Sequence, residues 1–227
     1  MQVTNIVTDI EGTTSSIRFV HEVLFPYARE RLGEYIRQHA DQAEVASQLD
    51  ALRHELGEES TQEALIGQLE QWIEQDRKHT VLKALQGMLW EQGYRQGDFS
   101  GHVYEDAVRN LRHWHDNGIG LYVYSSGSVQ AQQLLFRFSD YGDLTPLFSG
   151  YFDTRVGHKR EASSYESIVA QIGGRAGAIL FLSDIPEELE AAHAAGMQTR
   201  WLVREAEQVD PNATHPQVKD FDSINLD

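Results

Sequence analysis

Apolar residues recur at spacings of three and four through residues 22–91, whereas the rest of the chain carries them in short unbroken runs. The first pattern predicts helices. Val23, Tyr27, Ala28, Leu32, Tyr35 and Ile36 mark one, with Pro26 in its first turn. Val45, Leu49, Leu52 and Leu56 mark a second, Leu65, Leu69, Trp72 and Ile73 a third, and Val81, Leu85, Met88 and Leu89 a fourth. Ser15 to Val20 reads as a crossing segment that enters this stretch, and the glycine-rich residues 93–101 as the linker that leaves it.

The short runs predict strands. Asn5 to Thr8, Ile119 to Tyr124, Tyr151 to Asp153, Ala178 to Leu182 and Gln198 to Val203 have that character. Between them lie helical patterns through Tyr104–Trp114, Leu134–Leu135, Tyr165–Ile172 and Leu189–Ala195, with Gly118 and Gly196 as stops. Alternation of this kind implies an α/β fold with a doubly wound parallel sheet of the Rossmann type. The division predicted is residues 1–19 with 99–227 as the α/β core and 20–98 as an inserted helical domain. From Arg204 onward, including Asp210-Pro211-Asn212 and His215-Pro216, the chain reads as irregular surface.

Composition narrows the function. A net charge of −16 and a pI of 4.9 argue against a general nucleic-acid or anionic-membrane surface. The absence of cysteine removes disulfides, thiolate metal sites and a cysteine nucleophile. No run approaches the length of a membrane span, and the first residues lack the pattern of a secretory signal. A soluble cytoplasmic protein is expected.

Chemistry concentrates where strands end. Asp9 and Glu11 close the first strand, and two carboxylates beside an apolar run suggest a hard cation such as magnesium. An aspartate there can also attack phosphorus; the competing reading is that the pair caps a turn. Ser125-Ser126-Gly127-Ser128 follows the second strand and precedes a helix whose amides could hold a phosphate, although such a run is also an ordinary loop. Lys159, in Gly157-His158-Lys159-Arg160, could anchor a phosphoryl oxygen or be a solvated lysine. Asp184 ends the fourth strand, with Glu187 and Glu188 on the next turn. Glu187 there equally reads as charge complementing a helix dipole. His113 and His115 lie two apart on a helix, so they face different ways and receive no role. No Gly-x-Gly-x-x-Gly or Walker-type run occurs, which disfavours nicotinamide and nucleotide-hydrolysing chemistry.

The order Asp9, Ser125, Lys159, Asp184 resembles the haloacid dehalogenase superfamily of aspartyl-phosphate phosphotransferases. That resemblance implies Asp9 as nucleophile, the serine and lysine as phosphate ligands, Asp184 as a magnesium ligand and the helical insertion as a mobile cap. Most phosphatases of this type carry Asp-x-Asp, whereas this chain has Asp9-Ile10-Glu11-Gly12-Thr13-Thr14. This motif, Tyr124 to Ser128, Leu85-Gln86-Gly87 with Trp90, Gly93-Tyr94 and Val103-Tyr104-Glu105-Asp106 resemble a bifunctional branch acting in methionine salvage. Its members enolise 2,3-diketo-5-methylthiopentyl 1-phosphate and then dephosphorylate it to an acireductone. The similarity implies magnesium held by Asp9, the backbone carbonyl of Glu11 and Asp184. It implies substrate contacts from Ser125, Ser126 and Lys159, and catalytic roles for Asp9 and for Glu11, the latter shuttling protons. The implied partner is a small phosphate ester met by a monomer, with no nucleic acid or membrane. Two other readings share these residues: a dehalogenase or a phosphatase for another ester, and a receiver-like signalling domain. A dehalogenase has no need of magnesium, and receivers lack so large a helical insertion.

Overall fold

The first apolar run forms β1 (Asn5–Thr8), at the centre of a parallel sheet. The computed structural model describes residues 2–204, 210 and 212–226. Among these the sheet has six strands: β1, β2 (Gly120–Tyr124), β3 (Gly150–Phe152), β4 (Ile179–Ser183), β5 (Gln198–Leu202) and β6 (Gln217–Val218). Their order is β3-β2-β1-β4-β5-β6, with every pairing parallel. Asn5 stands opposite Gly120 on one side and Ile179 on the other. Strand order therefore reverses at β1 and β4, the place where open α/β sheets bind ligands beyond their carboxyl ends. Both strands are covered on each face, which is why they read as unbroken apolar runs.

The chain divides into two compact units, Met1–Ile17 with Gly101–Asp227, and Arg18–Ser100. In the sheet unit Val7, Tyr124, Tyr165, Ile168, Phe181 and Leu189 belong to one buried cluster. Tyr165 meets Tyr124 and Phe181 edge-on at 5.5 and 5.0 Å between ring centres, a preferred aromatic geometry.

The other unit is helical. A short turn, α1 (Ile17–Phe19), spans its entrance, and α2 (Phe25–His39), α3 (Ala43–Leu56), α4 (Gln62–Glu74) and α5 (Thr80–Gln96) make its body. Leu32, Ile36, Leu52, Leu65, Leu69 and Leu85 of the predicted apolar faces are fully enclosed, whereas Leu56, at the end of α3, is exposed.

Back in the sheet unit, α6 (Glu105–Asp116) precedes β2, α7 (Val129–Arg137) precedes β3, α8 (Ala162–Ile172) precedes β4 and α9 (Pro186–Ala194) precedes β5.

Two expectations need correction and one gains detail. The crossing segment Ser15–Val20 is helical from Ile17, where α1 runs into a π-helical turn, Val20–Leu24. There the Phe25 N–H bonds the Val20 carbonyl five residues back, immediately ahead of Pro26, which has no N–H to donate. Gly93 is not linker but helix, since α5 continues to Gln96 and ends on Gly97 in the left-handed conformation. Gly93 serves close packing, because a Cβ there would lie 2.7 Å from Phe99 and 2.8 Å from the Tyr27 hydroxyl. The tail is not all irregular surface either. Its part at 205–209 and 211 lies outside the described residues, but β6 adds to the sheet, and Phe221 in a 3₁₀ turn (Phe221–Ser223) is buried against Trp114. His215, Val218 and Ile224 are also buried. The single apolar residues here are too widely spaced to advertise a strand.

Among the described residues, no helix is long and apolar enough to cross a membrane.

Candidate active site

Beyond β1 the chain folds at once into a tight turn. The N–H groups of Thr13, Thr14 and Ser15 all donate to the Ile10 carbonyl at 2.9–3.1 Å, and the Thr14 hydroxyl donates to the Asp9 carbonyl at 3.1 Å. Asp9 itself remains in the sheet ladder, its N–H donating to the Leu182 carbonyl. Its side chain is thus delivered, almost fully buried, at the carboxyl edge.

Lys159 meets it there. The ammonium lies 2.6 Å from Asp9 Oδ1 and 2.7 Å from Glu188 Oε2, with the Tyr124 ring 5.6 Å away. The loop that carries it is fixed from below: Tyr124 Oη donates to the Gly157 carbonyl, Ser164 Oγ to that of His158 and Tyr165 Oη to that of Lys159 itself. The aromatic core of the sheet therefore positions the cation. Burial would drive Lys159 toward its neutral form, but Asp9 and Glu188 overcome this and raise its pKa.

One ammonium cannot satisfy the acids gathered here. Burial and the charge of Asp9 raise Asp184 to about 7, and the same two causes, in the same order, raise Glu188 to about 7. Glu11 is raised too, by burial and then by Asp9. Asp184 Oδ1 is buried and has no hydrogen-bond partner among the described residues. The site therefore holds an excess of oxygen donors of the kind a hard divalent cation takes.

Ser125 joins this group, donating from Oγ to Glu11 Oε2 at 3.3 Å while accepting from the Gly127 N–H. Ser126 is exposed in the same loop, and Ser128 caps α7 by accepting from the Ala131 N–H. Asp9, Glu11, Ser125, Lys159 and Asp184 thus lie together at one edge of the sheet. His113, His115 and Glu187 are exposed elsewhere.

Sequence reasoning names Glu188 beside Asp184 without giving it a role, and it passes over Asp153. Glu188 accepts from Ser183 Oγ as well as from Lys159. Its signal is the inward face of α9, since Leu189 and Ala192 are apolar and Glu188 lies four residues before Ala192 on that face. Asp153, buried after β3, accepts from the N–H groups of Val129 and Arg155 and so supplies the anion at the start of α7. No period or motif points to it.

Gly12 shows how tightly the acids are packed. Its φ of +73° lies in the left-handed region, and a Cβ there would sit 2.1 Å from Asp184 Oδ2. Gly12→Ala must therefore displace Asp184 as well as strain the turn. Hydrogen exchange of peptides covering residues 10–16 is expected to quicken in this variant, and exchange unchanged from wild type would contradict that arrangement.

The sequence matches the haloacid dehalogenase-like hydrolases over residues 3–196, and the chain belongs to that family. Within it, the chain is 58% identical over 222 residues to the protein named Enolase-phosphatase E1 of Serratia proteamaculans, covering 97% of this chain and 96% of that one. It is 57% identical over 225 residues to the protein of the same name from Azotobacter vinelandii, covering 99% and 98%. Among solved structures, the UTR4 protein of Saccharomyces cerevisiae superposes with a TM-score of 0.85 at 32% identity, over 98% of this chain and 100% of that one.

Proposed function

We propose that the protein is an enolase-phosphatase that converts 2,3-diketo-5-methylthiopentyl 1-phosphate, through its enol phosphate, to the acireductone 1,2-dihydroxy-3-keto-5-methylthiopentene and phosphate. The observation that carries this is the meeting of Asp9 and Lys159 at the carboxyl edge of the sheet, with Glu11 and Asp184 beside them, in a chain so close to proteins of that name.

Asp9 is the nucleophile. Its carboxylate attacks the phosphoryl group in line, the P–O bond to the enol carbon breaks, and water then hydrolyses the aspartyl-phosphate. Lys159, held protonated, faces the charge that gathers on the phosphoryl oxygens, and Ser125 and Ser126 supply hydroxyl donors from the next loop. Glu11, lifted above the ordinary carboxylate range, is suited to take a proton from carbon and return it to oxygen in the enolisation.

A divalent metal fits this donor set. Among the described residues no three His, Cys, Asp or Glu side chains form a preassembled cage. Magnesium needs none, since it takes one or two carboxylates and completes its shell with water and phosphate oxygens. The unpartnered Asp184 Oδ1 is the donor left over for it. Asp9, the backbone carbonyl of Glu11 and Asp184 would hold the ion, which when bound polarises phosphoryl and carbonyl oxygens.

Excess chelator is expected to abolish turnover and added magnesium to restore it. Calcium should inhibit, since it prefers longer bonds and more ligands. Full turnover in chelator would remove the metal from the reading. The reaction itself is tested by supplying the diketo phosphate with magnesium and following enol absorbance together with free phosphate. Both signals are expected; phosphate release from other esters, with neither signal from this one, would reassign the substrate.

A further inference from the structure

The turn that carries Glu11 is held from outside by a residue with no place in the chemistry above. Arg204 lies just past β5, and its side chain is only 8% exposed. Its Nε donates to the Thr13 carbonyl at 2.6 Å, while Nη1 and Nη2 form a two-pronged pair with Asp106 at 3.1 and 3.0 Å. The guanidinium lies 3.9 Å over the Tyr104 ring and 5.2 Å from that of Phe221. Asp106 also accepts from the Phe221 N–H at 2.8 Å.

The arrangement has a direction. Within the turn the N–H groups of Thr13, Thr14 and Ser15 are consumed by Ile10, so its outward main-chain grip depends on its carbonyls and on the N–H of Ser16, beside a contact of Ser15 Oγ with His102 Nδ1 at 3.4 Å. Arg204 takes the carbonyl of Thr13, and the Tyr104 N–H takes that of Thr14 at 2.9 Å. The Ser16 N–H donates to His102 Nδ1 at 3.1 Å. Of these three, only Arg204 ties the turn to a charged anchor.

We infer that Arg204 is a positioning residue for the reaction: it fixes the Gly12–Ser15 turn, and through it the placing of Glu11 and of Asp184, which abuts Gly12. Stability alone explains the geometry less well. The exposed Arg109–Asp222 pair already ties α6 to the 3₁₀ turn at Phe221–Ser223, without reaching the catalytic loop. A planar fork with a third donor can grip Asp106 and Thr13 together, and a lysine ammonium in its place has no such fork.

The inference rests on the phosphoryl-transfer reading of Asp9, and the test keeps the two apart. Arg204→Lys and Asp106→Asn are compared with wild type and with Asp222→Ala, which loosens the 3₁₀ turn alone. Two quantities are followed: hydrogen exchange of peptides covering residues 10–16, and kcat and KM on the diketo phosphate. The two test variants are expected to exchange faster in 10–16, with protection of β1 and β4 retained, and to lose about 100-fold in kcat with KM within about 3-fold. Asp222→Ala is expected to keep wild-type kcat. Wild-type kcat in either folded test variant, or unchanged exchange in 10–16, overturns the inference. So does loss of protection along the whole chain in both, which would make the role one of global stability. If wild type itself fails to turn over the diketo phosphate, the substrate reading falls, while the exchange measurement still decides whether Arg204 holds the turn.

Discussion

Asp9→Asn is expected to lower phosphate release by at least about 10⁴-fold, the scale on which loss of a covalent nucleophile is felt. An amide cannot form the acyl-phosphate, whereas enolisation needs only a base and a cation beside the developing enolate. The two reactions should therefore separate. The amide oxygen can still approach a metal but carries no charge, so metal affinity falls and raised magnesium recovers part of the enolisation and none of the phosphate release. Enol absorbance should then grow without free phosphate. The variant should also fold well, because Lys159 keeps Glu188 as a single partner at 2.7 Å. Removing the charge of Asp9 removes one cause of the raised pKa of both Asp184 and Glu188, so both should titrate at lower pH than the values near 7 they hold now. Phosphate release near the wild-type rate would take the nucleophile away from Asp9, and with it the site. Loss of both reactions at every magnesium concentration would show that Asp9 is needed for enolisation too.

Lys159→Met is expected to cost about 10²–10³-fold in kcat/KM for phosphate release, comparable to deleting one donor from a preorganised anion site. Methionine keeps most of the side-chain volume, so the loss reports charge. It also strands Asp9 and Glu188, both buried, with no cation between them. Breaking a buried pair in this way typically destabilises by roughly 3–5 kcal/mol. The loss should depend on pH. Glu188 already titrates at about 7 in the folded protein, against an ordinary value of 4.5, and without the ammonium it must rise further. A folded state that holds its proton more tightly than the unfolded chain is favoured at low pH and loses ground as pH rises from that ordinary value through the folded one. In chelator, urea unfolding should place the variant closer to wild type at pH 5 than at pH 8. An equal deficit at both would mean that Glu188 is not left uncompensated.

The legible parts of this molecule are those with a period or an unbroken run. Ile6 and Val7, or Ile179 to Leu182, are apolar because both faces of the sheet are covered, and the carboxylates next to them are conspicuous by contrast. Asp9, Ser125, Lys159 and Asp184 can accordingly be found from position, and resemblance gives them roles. Glu188 is less legible because an acid in the first turn of a helix is ordinary, and only the burial of its face distinguishes it from exposed Glu187. Arg204 reads as the start of an irregular tail because its partners Thr13, Asp106, Tyr104 and Phe221 are scattered along the chain, and no local pattern announces them. The same holds for β6, whose two residues pair with Trp201 and Leu202.

The central place of β1 bears on how the protein is made. A ribosome adds about 5–20 residues per second, and a vectorially emerging chain folds what it can as it goes. β1 leaves before its hydrogen-bonding partners, which begin at Gly120 and Ile179, so it emerges with both edges bare and two fully apolar side chains uncovered. The helical unit, Arg18–Ser100, can be completed from contacts within itself before either neighbour of β1 exists. Pairings so distant in sequence close slowly. During synthesis, then, the strand that leads into Asp9 waits longest for its neighbours, and the slow step in refolding should be the closure of β1 between β2 and β4.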